Sequence, residues 1–366
     1  MSDFMHIKQR LEKNYRGETV LITGHTGFKG GWLAYWLRLL GAHVIGYSTA
    51  PPTEPSFFKA TELKQHITSL RADINDYYML SCVVSEYKPD YIFHLAAQPI
   101  VRESYRNPRD TFMTNVMGTV NVLDCARLLD KPPICVCVTS DKCYANKEWD
   151  YAYRENDAMG GYDPYSASKG AAELVINAYR QSFFTNVNNI ASVRAGNVIG
   201  GGDWAVDRIV PDCVRSIVAD KEIIIRNAMA VRPWQFVLEP IFGYMLLGAK
   251  MNEENGDFSG AWNFGPSYNN CIQVGELVNR LLIKWGSGYW SRSTERAKEH
   301  EATLLKLDIA KAVTKLGWQP LYSIDTTIEK IIEWYKAYYY EAPTATIDVT
   351  VNQIKEYMND IDKQYA

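Results

Sequence analysis

The sequence predicts an α/β protein, with a doubly wound parallel sheet and a smaller lobe from the second half of its 366 residues. Two observations support this fold class. Short apolar runs in the first half alternate with segments of helical periodicity, which is the pattern of parallel strands joined by helices. Small or polar residues directly follow several of these runs, so they would gather at the carboxyl edge of the sheet, where such folds bind ligands.

The first strand, turn and helix form one unit. Residues 18–23 are a short β-branched run, which predicts a buried strand. Residues 24–30 follow with glycines at 24, 27 and 30, and then apolar residues recur at helical spacing. This order lets the backbone approach a dinucleotide pyrophosphate at the helix N-terminus. An ordinary strand-to-helix turn with glycine caps is the alternative.

The other elements of the first half follow in order. Further strands are predicted at 44–47, within 66–74, and at 91–95, 134–139 and 190–193, with helices at 77–87, 111–129 and 165–184. Gly24, Ala96, Ser140 and Asn197 each lie just beyond a strand. We therefore expect these four residues to face one crevice.

The second half is richer in loops and predicts a substrate-closing lobe without a sheet of its own. A short strand is expected at 223–226, helices at 273–286 and 323–340, and a last amphipathic helix after residue 343. We expect residues 1–195 to form a dinucleotide-binding domain. Residues 196–366 would be mainly the substrate lobe, with some segments returning to the sheet.

Composition excludes several classes of protein. The 39 basic and 42 acidic side chains nearly balance, which gives no electrostatic footprint for nucleic acid or an anionic membrane. No apolar run reaches the length of a membrane span, and residues 1–18 lack the core of a signal peptide. The seven cysteines have no zinc-ligand spacing. We therefore expect a reduced, cytosolic enzyme without a metal.

The strongest chemical signal is a tyrosine four residues before a lysine, Tyr165 and Lys169, on one face of a predicted helix. The lysine charge favours the tyrosinate, so this pair can take a proton from an alcohol. Such a pair also arises by chance in helices, so it becomes informative only together with the other motifs of the chain. Ser140, Asp141 and Lys142 follow the fifth predicted strand.

Several motifs occur in the order found in one family. They are the glycine turn at 24–30, His-Leu-Ala-Ala-Gln at 94–98, the Tyr165/Lys169 pair, Arg-Ala-Gly-Asn-Val at 194–198, Arg-Pro-Trp at 232–234 and Asn-Phe-Gly-Pro at 263–266. From about residue 24 to 318 the chain resembles the extended short-chain dehydrogenase/reductase family, in its nucleotide-sugar-modifying branch. The resemblance implies a Rossmann-like fold, NAD as cofactor and a homodimer or higher homo-oligomer.

Within that branch, Asp141-Lys142 after the fifth strand resembles the sugar 4,6-dehydratases. Together with Gly-Gly-Tyr-Asp-Pro at 160–164, it implies CDP-glucose as the substrate. Tyr165 would take the proton of the carbon 4 hydroxyl, with Ser140 and Lys169 supporting it. Asp141 would act as the acid and Lys142 as the base of the elimination. The alternatives are a turn cap for Asp141 and a surface lysine for Lys142.

The resemblance also implies the binding residues. Cofactor contacts are expected from Gly24, Thr26, Gly27, Phe28, Gly30, Asp73, Ile74, Leu95, Ala96, Ala97, Tyr165 and Lys169. Substrate contacts are expected from Asn197, Arg208 and Arg232 around the diphosphate and from Gln98 near the sugar. A capping amide is the alternative for Gln98, and surface arginines are the alternatives for Arg208 and Arg232.

One position departs from NAD-binding folds, which usually carry an acid at the end of the second strand for the adenosine ribose. Tyr-Ser-Thr stands at 47–49, and the next acid is Glu54. No arginine follows to meet the extra phosphate of NADP. We expect NAD, weakly held, with Asp73 at the adenine edge.

Two other classes of function stay open. One is a nucleotide-sugar epimerase or reductase of the same fold, or a dehydratase of another nucleotide-glucose; the Asp141-Lys142 pair argues against an epimerase. The other is a nucleotide-binding regulator without the reaction, against which the intact Tyr165 and Lys169 argue.

Overall fold

The computed structural model describes residues 7–185, 189–253, 258–294, 304–342 and 344–365. Its strands are β1 Thr19–Thr23, β2 His43–Ser48, β3 Thr68–Arg71, β4 Tyr91–His94, β5 Ile134–Val138, β6 Ile190–Ala195, β7 Asn197–Ile199, β8 Ile223–Ile225, β9 Val231–Phe236, β10 Gly260–Phe264, β11 Cys271–Gln273 and β12 Trp290–Arg292.

The helices surround the strands. They are α1 Ile7–Tyr15, α2 Phe28–Leu39, α3 Phe57–Ala60, α4 Tyr77–Tyr87, α5 Val101–Arg106, α6 Pro108–Phe112, α7 Gly118–Arg127, α8 Pro164–Phe183, α9 Ile209–Val218, α10 Leu238–Glu253, α11 Val274–Trp285, α12 Ile324–Tyr340 and α13 Ala345–Tyr365. A π-helical turn, Met113–Met117, joins α6 to α7.

A seven-stranded parallel sheet in the order β10-β6-β5-β4-β1-β2-β3 forms the centre of the molecule. Both faces are covered, as expected of parallel sheets, so its central strands are buried along their length. One face packs against α2 and α10, and the other against α4, α7 and α8. The predicted doubly wound α/β fold is thereby confirmed.

The second half returns to the sheet and also builds sheets of its own. β10 pairs with β6, as expected of a segment that returns. The prediction that the lobe has no sheet is wrong, because β7, β9 and β11 form a three-stranded sheet and β8 pairs with β12. Most of these strands are three residues long, too short to show an alternating pattern.

Two helices differ from the sequence pattern. The helix predicted at 111–129 is continuous in direction but contains the π-helical turn. The buried helix α10 was missed, because its residues are apolar on nearly every side and show no periodic stripe. The tail helix is confirmed as α13, which buries Ile354, Met358 and Ile361.

Candidate active site

One cavity of about 1080 Å³ opens at the carboxyl ends of the central strands. Gly24, Ala96, Ser140 and Asn197, which follow β1, β4, β5 and β6, all line it, as expected. Every other candidate residue from the sequence also lines this cavity. The parallel sheet therefore gathers residues that lie far apart in the sequence.

The glycine turn has no room for side chains at two positions. Gly24 has φ +81°, and a Cβ there would lie 2.8 Å from the backbone nitrogen of Ala96. A Cβ on Gly30 would lie 2.2 Å from the carbonyl oxygen of Gly24. The backbone can therefore approach a ligand closely, and the first residues of α2, whose N–H groups have no partner within the helix, line the cavity. This arrangement fits a dinucleotide pyrophosphate.

The tyrosine and lysine lie on the first two turns of α8. Asp163 caps this helix by accepting a hydrogen bond from the Ser166 backbone nitrogen at 2.9 Å. Burial raises the pKa of Tyr165 to about 12, against hydrogen bonding to Ser140, which lowers it. Burial lowers the pKa of Lys169 to about 8, and its Nζ donates to the Val138 carbonyl at 3.3 Å.

The residues after β5 form a tight turn beside this pair. Ser140 Oγ donates to Asp141 Oδ1 at 2.9 Å and accepts from the Lys142 backbone nitrogen at 3.2 Å. Burial raises the pKa of Asp141, against the charges of Lys142 and Arg232. A carboxyl group with a raised pKa next to a tyrosine–lysine pair is suited to donate a proton. The Lys142 side chain is partly exposed to the cavity.

A glycine makes room for the Asp141 carboxylate. A Cβ on Gly196 would lie 3.1 Å from Asp141 Oδ2 and 3.4 Å from Pro233 Cγ. Gly196 lies between β6 and β7, so the turn that leaves the central sheet forms one wall of the carboxylate pocket.

A buried polar network supports α8 from behind. Glu173, one turn after Lys169, accepts from Arg194 at 2.9 and 2.7 Å and from Ser192 at 2.7 Å. Arg194 also donates to the Tyr144 hydroxyl at 2.6 Å, and that hydroxyl donates to Asn263 at 2.7 Å. The network fixes the helix that carries Tyr165 against β6 and β10.

Arginines surround the outer part of the cavity. Arg208 pairs with the buried Asp203 at 2.8 Å, and Arg232 Nη1 donates to the Val231 carbonyl at 3.1 Å. Asp207, which the sequence did not single out, pairs with both Arg102 and Arg226 at 3.1 and 2.8 Å. This region of the cavity is suited to an anionic group such as a diphosphate.

Two side-chain amides, those of Gln98 and Asn115, hold the loop after β4 in place. The Gln98 amide donates to the Ile100 carbonyl and the Thr111 hydroxyl, both at 3.0 Å, and accepts from the Ile100 backbone nitrogen. The Gln98 side chain thus caps the loop, which is the alternative role that the sequence left open. To contact a sugar, Gln98 would have to break these hydrogen bonds. Asn115, in the π-helical turn, bonds the Gln98 backbone and the Ser168 hydroxyl. No sequence signal had marked Asn115.

Two residues of the glycine turn have different environments. His25 is buried, and its Nε2 hydrogen-bonds the Ser69 hydroxyl at 2.7 Å. Lys29 lines the cavity, and burial lowers its pKa to about 7, aided by the charges of Arg208 and Lys169. Nothing in the sequence pattern distinguishes Lys29, since a lysine in a first helical turn is usually solvated.

The described residues contain neither a metal-binding cluster nor a membrane-spanning helix. Within the described ranges, no three His, Cys, Asp or Glu side chains are grouped so that they could hold a metal ion. No helix in this part of the chain has both the length and the apolar character required to cross a membrane.

Comparisons with known proteins agree with this geometry. The family model described as GDP-mannose 4,6 dehydratase matches residues 21–331. The CDP-glucose 4,6-dehydratase of Salmonella typhimurium is 47% identical over 336 residues, which cover 90% of this chain and 93% of that protein. The CDP-paratose 2-epimerase of Salmonella typhi is 26% identical, over 86% of this chain and 98% of its own.

A solved structure shows the same fold. The dTDP-glucose 4,6-dehydratase of Streptomyces venezuelae, with NAD bound, superposes with a TM-score of 0.75 at 22% identity and covers 89% of this chain and 99% of its own. The family match spans most of the chain, including the glycine turn and the Tyr165/Lys169 pair. The chain therefore belongs to the GDP-mannose 4,6 dehydratase family, within the extended short-chain dehydrogenases/reductases.

Proposed function

We propose that the protein is an NAD-dependent hydro-lyase that converts CDP-D-glucose to CDP-4-keto-6-deoxy-D-glucose. The observation that carries this proposal is the buried Asp141 carboxyl group, hydrogen-bonded to Ser140 and adjacent to the Tyr165/Lys169 pair. Oxidation needs only the tyrosine–lysine pair and its serine, whereas elimination also needs a proton donor, and Asp141 lies where such a donor is required. The 47% identity with the Salmonella CDP-glucose 4,6-dehydratase supports the choice of nucleotide.

NAD would be held by the glycine turn and the adjacent strand ends. The backbone at Gly24, Gly27 and Gly30 would meet the pyrophosphate, and Asp73 the adenine edge. When bound there, NAD would supply the hydride acceptor for carbon 4 of the sugar and, once reduced, the hydride donor for carbon 6. With no acid at the end of β2, we expect NAD to be lost readily on purification.

Oxidation of the sugar would use three residues. Tyr165 takes the proton of the carbon 4 hydroxyl, and the Lys169 charge favours the tyrosinate that does so. Ser140, already hydrogen-bonded to its neighbours at the end of β5, orients the sugar hydroxyl. All three side chains are buried.

Elimination would use the two residues after Ser140. The ketone at carbon 4 makes the carbon 5 proton acidic, so Lys142 can take that proton as the base and return it to carbon 5 when hydride reaches carbon 6. Asp141, whose pKa burial raises, protonates the departing carbon 6 hydroxyl as water. Asn197, Arg208 and Arg232 would hold the diphosphate, while Gln98 shapes the loop near the sugar.

The test is an assay of the protein with NAD and a panel of CDP-, dTDP-, UDP- and GDP-glucose. CDP-glucose should lose water, and substrate deuterated at carbon 4 should give product deuterated at carbon 6. NADH that accumulates in step with product would contradict a redox-neutral dehydration. Epimerised sugar without water loss would indicate the alternative activity.

We also propose a setting for this activity. The free cysteines of the described chain suit a reducing cytoplasm, where nucleotide sugars are made. A 4-keto-6-deoxy product would enter deoxysugar biosynthesis, for a lipopolysaccharide O-antigen. The exposed apolar side chains of α6, the π-helical turn and α8 support a homodimer.

A further inference from the structure

The end of β2 faces the glycine turn and carries no acid. Ser48 closes the strand, and its hydroxyl lies 2.8 Å from the Thr26 hydroxyl in the turn. The first acid after β2 is Glu54, whose carboxylate pairs with Lys59. The corner where this fold receives an adenosine ribose is therefore formed by two hydroxyl residues, Ser48 and Thr49.

The sheet register brings an arginine to this corner from the next strand. β2 and β3 pair in parallel, with Ser48 opposite Arg71 and Gly46 opposite Ser69. The Ser69 hydroxyl bonds His25 of the glycine turn, so Ser69 points toward the turn. Side chains two residues apart on a strand share a face. Arg71 therefore extends from the same face as Ser48, at the carboxyl end of β3.

The surroundings of Arg71 leave its guanidinium available to a ligand. Arg71 is exposed, and its guanidinium makes no hydrogen bond or ion pair within the described chain. The pKa of His25 is lowered mainly by burial of the imidazole and also by the Arg71 charge, as expected for a cation close to the glycine turn. The next acid, Asp73, accepts a hydrogen bond from the Asn75 backbone at 2.9 Å.

We propose that Arg71, with Ser48 and Thr49, binds the 2′-phosphate of NADP, so that the protein accepts NADP as well as NAD. This inference rests on the proposed function only in requiring a dinucleotide at the glycine turn. Guanidinium groups bind phosphate by two parallel hydrogen bonds, and hydroxyl groups can donate further ones. The absence of a carboxylate from the end of β2 removes the repulsion by which NAD-specific sites exclude this phosphate.

The test is a calorimetric titration of cofactor-free protein with four ligands: NAD, NADP, ADP and adenosine 2′,5′-bisphosphate. For the unaltered protein, the dissociation constants of NAD and NADP should lie within about tenfold of each other, as one phosphate contact replaces one ribose contact. Arg71→Gln should weaken NADP and adenosine 2′,5′-bisphosphate by about tenfold to a hundredfold. Its effect on NAD and ADP should be below about threefold, because neither carries the 2′-phosphate.

Lys64→Gln is the matched control, because Lys64 is an exposed cation on the turn that enters β3 from the opposite end. It should leave all four affinities unchanged. NAD binding without measurable NADP binding would overturn this inference and leave the proposed function standing. An equal loss of NAD and NADP in Arg71→Gln would also overturn it, since the arginine would then serve the site generally. Failure of the unaltered protein to bind either dinucleotide would overturn both proposals.

Discussion

At the scale of single residues, burial decides which groups can do chemistry. Tyr165, Lys169 and Asp141 all lie out of water at the base of one cavity, and burial disfavours the charged form of each. Burial lowers the pKa of Lys169 to about 8 and raises that of the Asp141 carboxyl group, so the lysine charge is more easily lost and the acid more easily kept protonated. The position of each group then depends on small neighbours such as Gly196.

Two substitutions should separate the two halves of the reaction. Tyr165→Phe removes the base for oxidation, so no bound NADH should form. Lys142→Ala should leave oxidation intact and slow elimination by roughly 10²–10⁴-fold, the usual worth of one acid or base. Rapid-mixing absorbance of bound NADH measures both. Turnover of Lys142→Ala equal to that of the unaltered enzyme would mean that another group is the base.

Activity should fall on the alkaline side of about pH 8, where buried Lys169 loses its charge. The neutral lysine no longer favours the tyrosinate of Tyr165, so the rate of oxidation decreases as the pH rises. Single-turnover formation of NADH across pH 6 to 10 would measure this. Lys169→Arg keeps its charge over the range and should remove the alkaline decrease; an unchanged profile would contradict the assignment.

Gly196→Ala should displace the Asp141 carboxylate, because the new methyl group would lie 3.1 Å from its Oδ2. We expect oxidation to proceed and water loss to slow by about tenfold to a hundredfold, the cost of a misplaced catalytic group. Gly275→Ala is the control, since its Cβ meets Ala228 at a similar 3.3 Å away from the cavity. Equal turnover of both variants would show that Gly196 does not position the acid.

At the scale of elements, irregular features occur beside the site. The helix predicted over 111–129 is interrupted by the π-helical turn between α6 and α7. Asn115 lies in this turn and hydrogen-bonds the loop after β4. Helix α8 is tied to β6 by one buried ion pair, Glu173 with Arg194. The stability of this attachment can be measured.

Glu173→Gln should lower the free energy of unfolding by about 3–5 kcal/mol, because Arg194 would stay buried without a balancing charge. Glu329→Gln breaks an exposed pair with Lys284 and should cost at most about 1 kcal/mol. Urea denaturation followed by circular dichroism compares the two variants. Similar losses in both would mean that the buried pair contributes no more than a surface pair.

At the scale of the whole molecule, the second half of the chain completes the sheet that the first half begins. The first half supplies six strands of the central sheet, and the second half adds β10 and the covering helix α10. The terminal helices α1 and α13 then pack together outside α10. The neighbouring segments α6, the π-helical turn and α8 form an exposed apolar surface with Phe112, Met113, Met117, Leu174 and Phe183.

We expect this surface to join two copies of the chain through α6, the π-helical turn and α8. Leu174→Glu, which places a charge at a side chain 62% exposed in the single chain, should convert a dimer to a monomer. Sedimentation at micromolar concentration measures the mass. Ile283→Glu on α11, at 80% exposed, is the control and should stay dimeric. A monomeric mass for the unaltered protein would refute the dimer.

The sequence alone determined the alternation of strands and helices, the glycine turn and the Tyr165/Lys169 pair. These depend on periodicity and on residues close together in the chain, which local patterns carry. The division into two lobes and the roles of the site residues stay predictions. Tertiary structure alone decided how the short strands of the second half pair, the helix α10 and the neighbours of each buried group. Arg71 illustrates the reason: residues 49–55, directly after β2, contain no arginine, and only the register between β2 and β3 places one beside Ser48.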